Sequence, residues 1–527
     1  MPTDCITYQN SGYFSKLILD YLEEKQVIQS LYHRFPSLEN FKKQLEEKSK
    51  NYPIENRKIL EKALLEQNQN FDLSLASHHN IKLLGEENTF TITTGHQLNL
   101  FTGPLYFIYK IVSTINLCKE LSSKYPECHF VPMYWMATED HDFEEINYFK
   151  FKGKKIIWNK NSNGPVGRLS TEGLQEIYAL FSKELGLGEN ASYLKELFKK
   201  AYLEQPNLAD ATRYLVNELF KNEGLLILDG DDNELKKLFV PTIKNELLYQ
   251  TSYKKVTETL HNFDYEIQVN PREINLFYIE DNLRERIILE NNKYRVNNTD
   301  IAFTANEILE LVENAPEKFS PNVILRPLYQ EIILPNLCYI GGGGEIAYWL
   351  ELKAVFEAHN ITFPMLLLRN SALIASEKQV QKADKLNLSW ADLFSKQEEL
   401  VNFKTKAHSE FNIDFSEQKT FLQQQFEKLH VLASQTDPSF LGAVKAQEAK
   451  QKKGLDNLEK RLLKAEKRVY VEKLERIIQL QNELFPNQSL QERQLNFSEF
   501  YINNPNFISL ILKELHPLNN HFLTIID

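Results

Sequence analysis

Three observations predict an α/β fold with a helical C-terminal region. The strand-like run "TFTITT" at 89–94 leads through a glycine-containing loop into a helix over 104–124 and then into a second apolar run, "CHFVPMYWMA". Two later stretches, "GLLILDGDD" and "NLCYIGGGGEIAYWLELK", pass from apolar residues into glycines and acids, where a loop must begin. Beyond about residue 376 glycine nearly vanishes and Lys, Glu, Gln and Leu dominate. Strand, helix and strand at this spacing read as βαβ units of a parallel sheet.

Residues 1–88 read as helices packed on the core, because 14–70 are rich in Leu, Lys and Glu at helical periodicity. The core begins at 89. Gly95 permits a sharp exit from the first strand, and Gly103 before Pro104 suits a helix starting at that proline, whose missing N–H is no loss there. Along this helix Ile108, Ile111, Val112 and Ile115 form a stripe to bury, while Tyr106 and Lys110 share another face. The second strand completes the first part of the core, 89–155. A hairpin-like "FKFKGKKIIW" and a helical stretch at 170–222 then interrupt it, so 156–222 reads as an insertion and 223–249 as core again. Short strands and helices mix over 250–320, a second insertion or subdomain, before strand, helix and strand resume over 321–375. In 376–527, Leu455, Leu458, Leu462, Ala465 and Val469 keep the a/d spacing of a long helical hairpin or coiled coil. The Lys and Arg residues of this segment read first as a solvated face, with a nucleic-acid or acidic-partner surface as the alternative.

Composition narrows the function classes. With 527 residues, 42% hydrophobic and 25% charged, the chain can bury a sizeable ordered core. A net charge of −11 argues against a protein built to grip nucleic acid. No apolar run approaches a membrane span, and "MPTDCITYQNSGYF" has neither a basic nor an apolar leader region, so a cytoplasmic address without a membrane partner is expected. Cys5, Cys118, Cys128 and Cys338 are scattered without a Cys/His cluster, which argues against zinc and a disulfide framework.

Open α/β sheets bind ligands outside the carboxyl ends of their strands, and three polar groups fall there. The segment "TEDHDFEEIN" crowds six acids and histidines into residues 139–145. His141 reads as a general base oriented by Asp140 or Asp142, or else the three read as ligands of a divalent ion; Glu144 and Glu145 read individually as helix caps. Gly341, Gly342, Gly343 and Gly344 stand directly before a helix, where backbone N–H groups suit a carboxylate or phosphate or simply make a tight turn. The run fits neither a P-loop nor a dinucleotide fingerprint. Arg326, Gln330 and Arg369 add positive and amide groups near strand ends.

Four stretches in this order, "TGHQLNLFTGPLYFIYK", "VPMYWMATEDHDFEEIN", "YIGGGGEIAYWLELK" and "FPMLLLRNS", resemble the cysteine ligase family of bacillithiol biosynthesis over nearly the whole chain. The resemblance implies a Rossmann-like core with connecting-peptide insertions and a C-terminal coiled coil that makes a homodimer. It implies ligation of L-cysteine to the amine of glucosaminyl-malate, and a nucleotide site. Family motifs fall on Gly95, Gln97, Phe101, Gly103, Pro104, Tyr106 and Lys110, on Asp140, His141, Asp142, Glu145 and Asn147, and on Gly341, Gly342, Gly344, Glu345 and Tyr348. Many members carry glutamine in place of His96 and proline in place of Gly343, yet both positions lie within the substrate-binding motifs. No adenylation motif is visible, so ATP or ADP, with Mg²⁺, is expected from the reaction class alone, and no metal-ligand set is assigned. Two rival readings are a metal-dependent hydrolase or transferase built on the 139–145 cluster and a non-catalytic coiled-coil scaffold.

Overall fold

The computed structural model describes residues 4–527. Its central sheet is built from β1 (Thr89–His96), β2 (His129–Met136), β3 (Leu226–Asp229), β4 (Asn336–Gly341) and β5 (Met365–Leu368). All pairings are parallel and the order is 5-4-1-2-3. Every residue of β1 is buried, as a parallel strand covered on both faces requires. Its threonines are accommodated by pairing: the Thr91 and Thr93 hydroxyls donate to Asn336 Oδ1 at 3.3 and 2.8 Å, and Thr94 donates to the Ile340 carbonyl at 2.8 Å.

Helix α1 (Tyr106–Lys124) connects β1 to β2 and buries the expected stripe of Ile108, Ile111, Val112 and Ile115. It starts two residues beyond Pro104, because the loop before it is more contorted than the sequence suggests. Phe101, Thr102 and Gly103 adopt φ of 49°, 69° and 61° in succession. Asn496 Nδ2 donates to the Phe101 and Gly103 carbonyls at 2.7 Å each and so ties this loop to the C-terminal region.

The sheet order reverses between β1 and β4, which opens a crevice at their carboxyl ends. Helix α2 (Arg326–Ile333) precedes β4, and α3 (Gly343–Leu350) follows it. The 250–320 region supplies a five-stranded antiparallel sheet with strands Leu276–Glu280, Leu283–Glu290, Lys293–Val296, Ala302–Phe303 and Phe319–Pro321. The first insertion is the hairpin Tyr148–Phe151/Lys154–Ile157 and three helices between Leu174 and Phe220.

The N-terminal end departs from the helical reading, and the tail expected after the C-terminal helices carries a strand. Asp4–Thr7 pairs antiparallel with His521–Ile526, which pairs parallel with Ala372–Ala375. Local periodicity carries no signal for a pairing between opposite ends of the chain. The long helices α4 (Ser416–Ala433) and α5 (Pro438–Val469) pack through Phe426, Ala433 and Val444. The a/d row is therefore not the seam of this hairpin: Leu455 and Leu462 are half-buried, whereas Leu458 and Val469 are 53% and 68% exposed. Leu474, Ile477, Leu480 and Leu484 of the next helix return to the main core. Among the described residues no helix is long and apolar enough to cross a membrane.

Candidate active site

The crevice encloses about 730 Å³ and is lined by the exit of β1, the segment after β2 and the start of α3, a size suited to a small ligand. The inserted antiparallel sheet and Arg493 of the C-terminal region close its other sides.

On the α1 side, Lys110 is buried, donates to the Gly95 carbonyl at 2.8 Å and forms an ion pair with Glu345. Glu345 also accepts from the Tyr339 hydroxyl at 2.7 Å and from the Gly342 N–H at 2.9 Å. Burial lowers the Lys110 pKa, and Glu345 opposes it. Burial pushes the Glu345 carboxyl up, but Lys110 and the hydrogen bonds from Gly342 and Tyr339 bring it below its ordinary value. Lys110 is thus neutralised and braces β1 against α3. Beside it, burial and then the charges of Lys110 and Arg369 hold the His96 pKa well below the usual histidine range, so the ring is neutral. His96 Nε2 is buried with no hydrogen-bond partner. Tyr106 packs its ring 5.4 Å from that of His96 and under the Arg369 guanidinium at 5.2 Å.

The four glycines do not make a strained turn, since none has positive φ. Gly341 is tight, because a Cβ there would meet Tyr339 and Glu345 at 3.0 Å. At Gly344 a Cβ would meet nothing within 4 Å, and at Gly343 only Ile18 at 3.5 Å. These two residues lie in the first turn of α3, where backbone N–H groups have no intrahelical acceptor, and both line the crevice. Glycine is kept here by neither backbone nor packing, so the bare surface faces the ligand space.

Arg326 is bracketed by the rings of Trp135, Tyr339 and Trp349 at 6.0, 5.6 and 5.9 Å. It donates to Gln330 Oε1 at 3.0 Å and to the Tyr348 hydroxyl at 3.3 Å, and among the described residues it has no carboxylate partner. Gly95 admits it, since a Cβ on Gly95 would come within 3.7 Å of Arg326 and 3.1 Å of Tyr339. Arg369 pairs with Glu492 at 2.6 Å and donates to the Asn370 carbonyl and Ser371 Oγ at 2.9 and 3.1 Å. Its Nε, buried beside Gly342, has no partner.

The acidic segment after β2 is organised differently from its sequence reading. Asp140 accepts the His141 N–H at 2.8 Å, and Gln97 Nε2 donates to Asp140 and Glu145 at 2.9 and 3.0 Å. The His141 ring stands 3.7 Å from Asp140 and 4.0 Å from Asp142, too far for either carboxylate to orient it. Arg284 of the inserted sheet reaches Nδ1 at 2.6 Å instead. Asp140, His141 and Asp142 could bring ligand atoms within 4.8 Å of one another, and the Arg284 guanidinium occupies His141 Nδ1 and stands 4.0 Å from Asp140. Burial, followed by the Asp140 charge, raises the Asp142 pKa. Glu139 pairs with buried Lys236.

The crevice therefore gathers Gly95, His96, Gln97, Tyr106, Lys110, Asp140, His141, Asp142, Gly342, Gly343, Gly344, Glu345, Tyr348, Arg326 and Arg369. Four expected residues do not line it. Gly103 serves its loop, where a Cβ would lie 2.6 Å from Asn99; Asn147 receives the Trp158 N–H at 2.7 Å; Gln330 is buried behind Arg326; and Gly341 is strand. Sequence reasoning missed Arg272, Arg284, Arg286 and Arg493. Arg284 and Arg286 sit two apart in a strand-like run, a signal that they share a face.

A family model described as "Bacillithiol biosynthesis BshC, N-terminal Rossmann-like domain" matches residues 1–370, and its partner, the BshC C-terminal coiled-coil domain, matches 372–526. This chain belongs to the BshC family. Proteins named "Putative cysteine ligase BshC" from Flavobacterium johnsoniae and Flavobacterium psychrophilum are each 65% identical to it, over 99% and 98% of both chains. One from Bacillus anthracis is 30% identical over 92% of this chain and 93% of its own. Family membership places the chain among the enzymes of bacillithiol biosynthesis, and the Rossmann-like and coiled-coil parts agree with the fold expected.

Proposed function

We propose that this ligase joins the carboxylate of L-cysteine to the amine of glucosaminyl-malate, forming the amide of bacillithiol. The charge of the crevice carries the reading. Lys110, Arg272, Arg284, Arg286, Arg326, Arg369 and Arg493 line it against Glu139, Asp140, Asp142 and Glu345, in a chain of net charge −11. Among the described residues Arg272, Arg286, Arg326 and Arg493 have no carboxylate partner, an excess suited to the two carboxylates of a malate group. The Gly343 and Gly344 N–H groups and Arg369 Nε hold further anionic oxygens, and Tyr106 and the free oxygen of Gln97 meet sugar hydroxyls. ATP with Mg²⁺ would supply activation of the cysteine carboxylate, its phosphates held by the same N–H groups and arginines. The 140–142 cluster handles the proton of the attacking amine.

The reading also takes the protein as a homodimer. Leu458 and Val469 of α5 and Phe421 and Val431 of α4 are 53–68% exposed, apolar surface that a second coiled coil would cover. Calorimetric titration tests the substrate assignment. Glucosaminyl-malate should bind the wild type and bind Arg326→Met about tenfold or more weakly, the loss expected for a charge-assisted hydrogen bond; equal affinity would remove Arg326 from the site.

A further inference from the structure

The His141 ring is held by a residue that cannot accept a hydrogen bond. A guanidinium carries only donors, so the 2.6 Å contact between Arg284 Nη1 and His141 Nδ1 makes Nδ1 the acceptor. A neutral imidazole whose Nδ1 accepts carries its hydrogen on Nε2. Protonating Nδ1 would set one N–H against another. Arg284 is itself fixed: it is 8% exposed, lies 4.0 Å over the Phe277 ring and donates to Ser320 Oγ at 3.3 Å and the Pro321 carbonyl at 3.4 Å. His141, by contrast, lines the crevice with 40% of its side chain exposed.

We infer that Arg284 is a positioning residue that fixes His141 as a neutral Nε2–H hydrogen-bond donor, leaving the Asp142 carboxylate to accept the amine proton. The inference rests on the ligase reading and divides the labour within its cluster. The groups facing the ring are Arg284 and Phe277 from the inserted sheet and Asp140 and Asp142 from its own segment, with Glu145 beyond them. Asp140 is already engaged by Gln97 and its neighbour's N–H. Asp142 has the freer carboxylate, and burial and Asp140 move its pKa towards that of a base. In amide formation the nitrogen lone pair makes the C–N bond and the activated carboxyl's leaving group departs with the C–O pair. One N–H proton passes to Asp142, and His141 Nε2–H donates to the carbonyl oxygen as it gains charge.

The test uses ¹⁵N-histidine-labelled full-length protein, with the His141 resonances assigned by their loss in His141→Gln. The ring should show the Nε2–H tautomer with Nδ1 unprotonated. Arg284→Met should free Nδ1 and let the Nδ1–H tautomer appear. Because glutamine places an amide donor near the Nε2 position, His141→Gln should keep kcat within about tenfold of wild type, whereas His141→Ala should lower it about 10²–10³-fold. An Nδ1–H tautomer or an imidazolium in the wild type at pH 7 overturns the inference, as does equal loss in His141→Gln and His141→Ala. Absence of amide product from the wild type would instead sink the ligase reading, and the wild-type spectrum would still decide the role of Arg284.

Discussion

Gly344 separates a structural glycine from a ligand-facing one, because the two roles give opposite signs. The residue has helical backbone in the first turn of α3, and a Cβ placed there meets nothing within 4 Å. If nothing binds, Gly344→Ala should be mildly favourable: an alanine at a compatible helical position raises stability by about 0.4–1 kcal/mol, mainly by restricting the unfolded chain. If an anionic group sits against the Gly343 and Gly344 N–H groups, the methyl displaces it. Losing a hydrogen bond to a charged oxygen costs about 1.5–3 kcal/mol, roughly ten- to a hundredfold in affinity. Urea denaturation of the apo protein and calorimetric titration with glucosaminyl-malate and with ADP read the two quantities separately. The expected result is a slightly more stable protein with weakened affinity for at least one ligand. Unchanged affinity for both, or a loss of apo stability above about 1 kcal/mol, would refute the reasoning.

Three other outcomes follow from the packing. Glu492→Ala strips the buried Arg369 of its carboxylate and should cost about 3–5 kcal/mol of unfolding free energy in denaturant titration; a loss under about 1 kcal/mol would mean that the pair is not what fixes Arg369. Glu351 is buried, receives N–H groups from Gln268 and Val269 at 2.8 and 3.3 Å, and is held up at about 7 by burial against an ordinary value of 4.5. A carboxyl raised in the folded state contributes stability that is full below about pH 4.5 and lost as pH rises through about 7. Glu351→Gln, which stays neutral, should therefore gain stability relative to wild type across that window, and a difference constant with pH would contradict the assignment. Leu458→Asp with Leu462→Asp should convert a dimer into a folded monomer in sedimentation analysis with its circular dichroism largely kept, and a wild type already monomeric at micromolar concentration would contradict the dimer.

The sheet was legible because its signals are local. β1 and β4 are continuous apolar or threonine runs ending in glycine, and α1 carries its stripe at helical spacing, so the crevice between their carboxyl ends could be placed from sequence. The Gly341–Gly344 run reads from sequence as an N–H loop for an anion or as a tight turn; the structure gives none of the four a positive φ and leaves open space beside Gly344, which the sequence does not encode. What stayed hidden came from far along the chain. The partner of His141 lies 143 residues away, in a sheet whose docking on the core no periodicity encodes. Arg369 is neutralised from the C-terminal region by Glu492, and the loop around Gly103 is held by Asn496. The a/d row of α5 was visible, but spacing alone cannot say whether α4 or another chain covers it.

The central claim is tested most directly by incubating the purified protein with L-cysteine, glucosaminyl-malate, ATP and Mg²⁺ and following the amide product by mass spectrometry, omitting each component in turn. The account predicts product that requires both substrates and ATP and falls by at least tenfold in Arg326→Met and in His141→Ala. Wild-type protein that binds glucosaminyl-malate but forms no amide under any combination, or product that is indifferent to both substitutions, would contradict it.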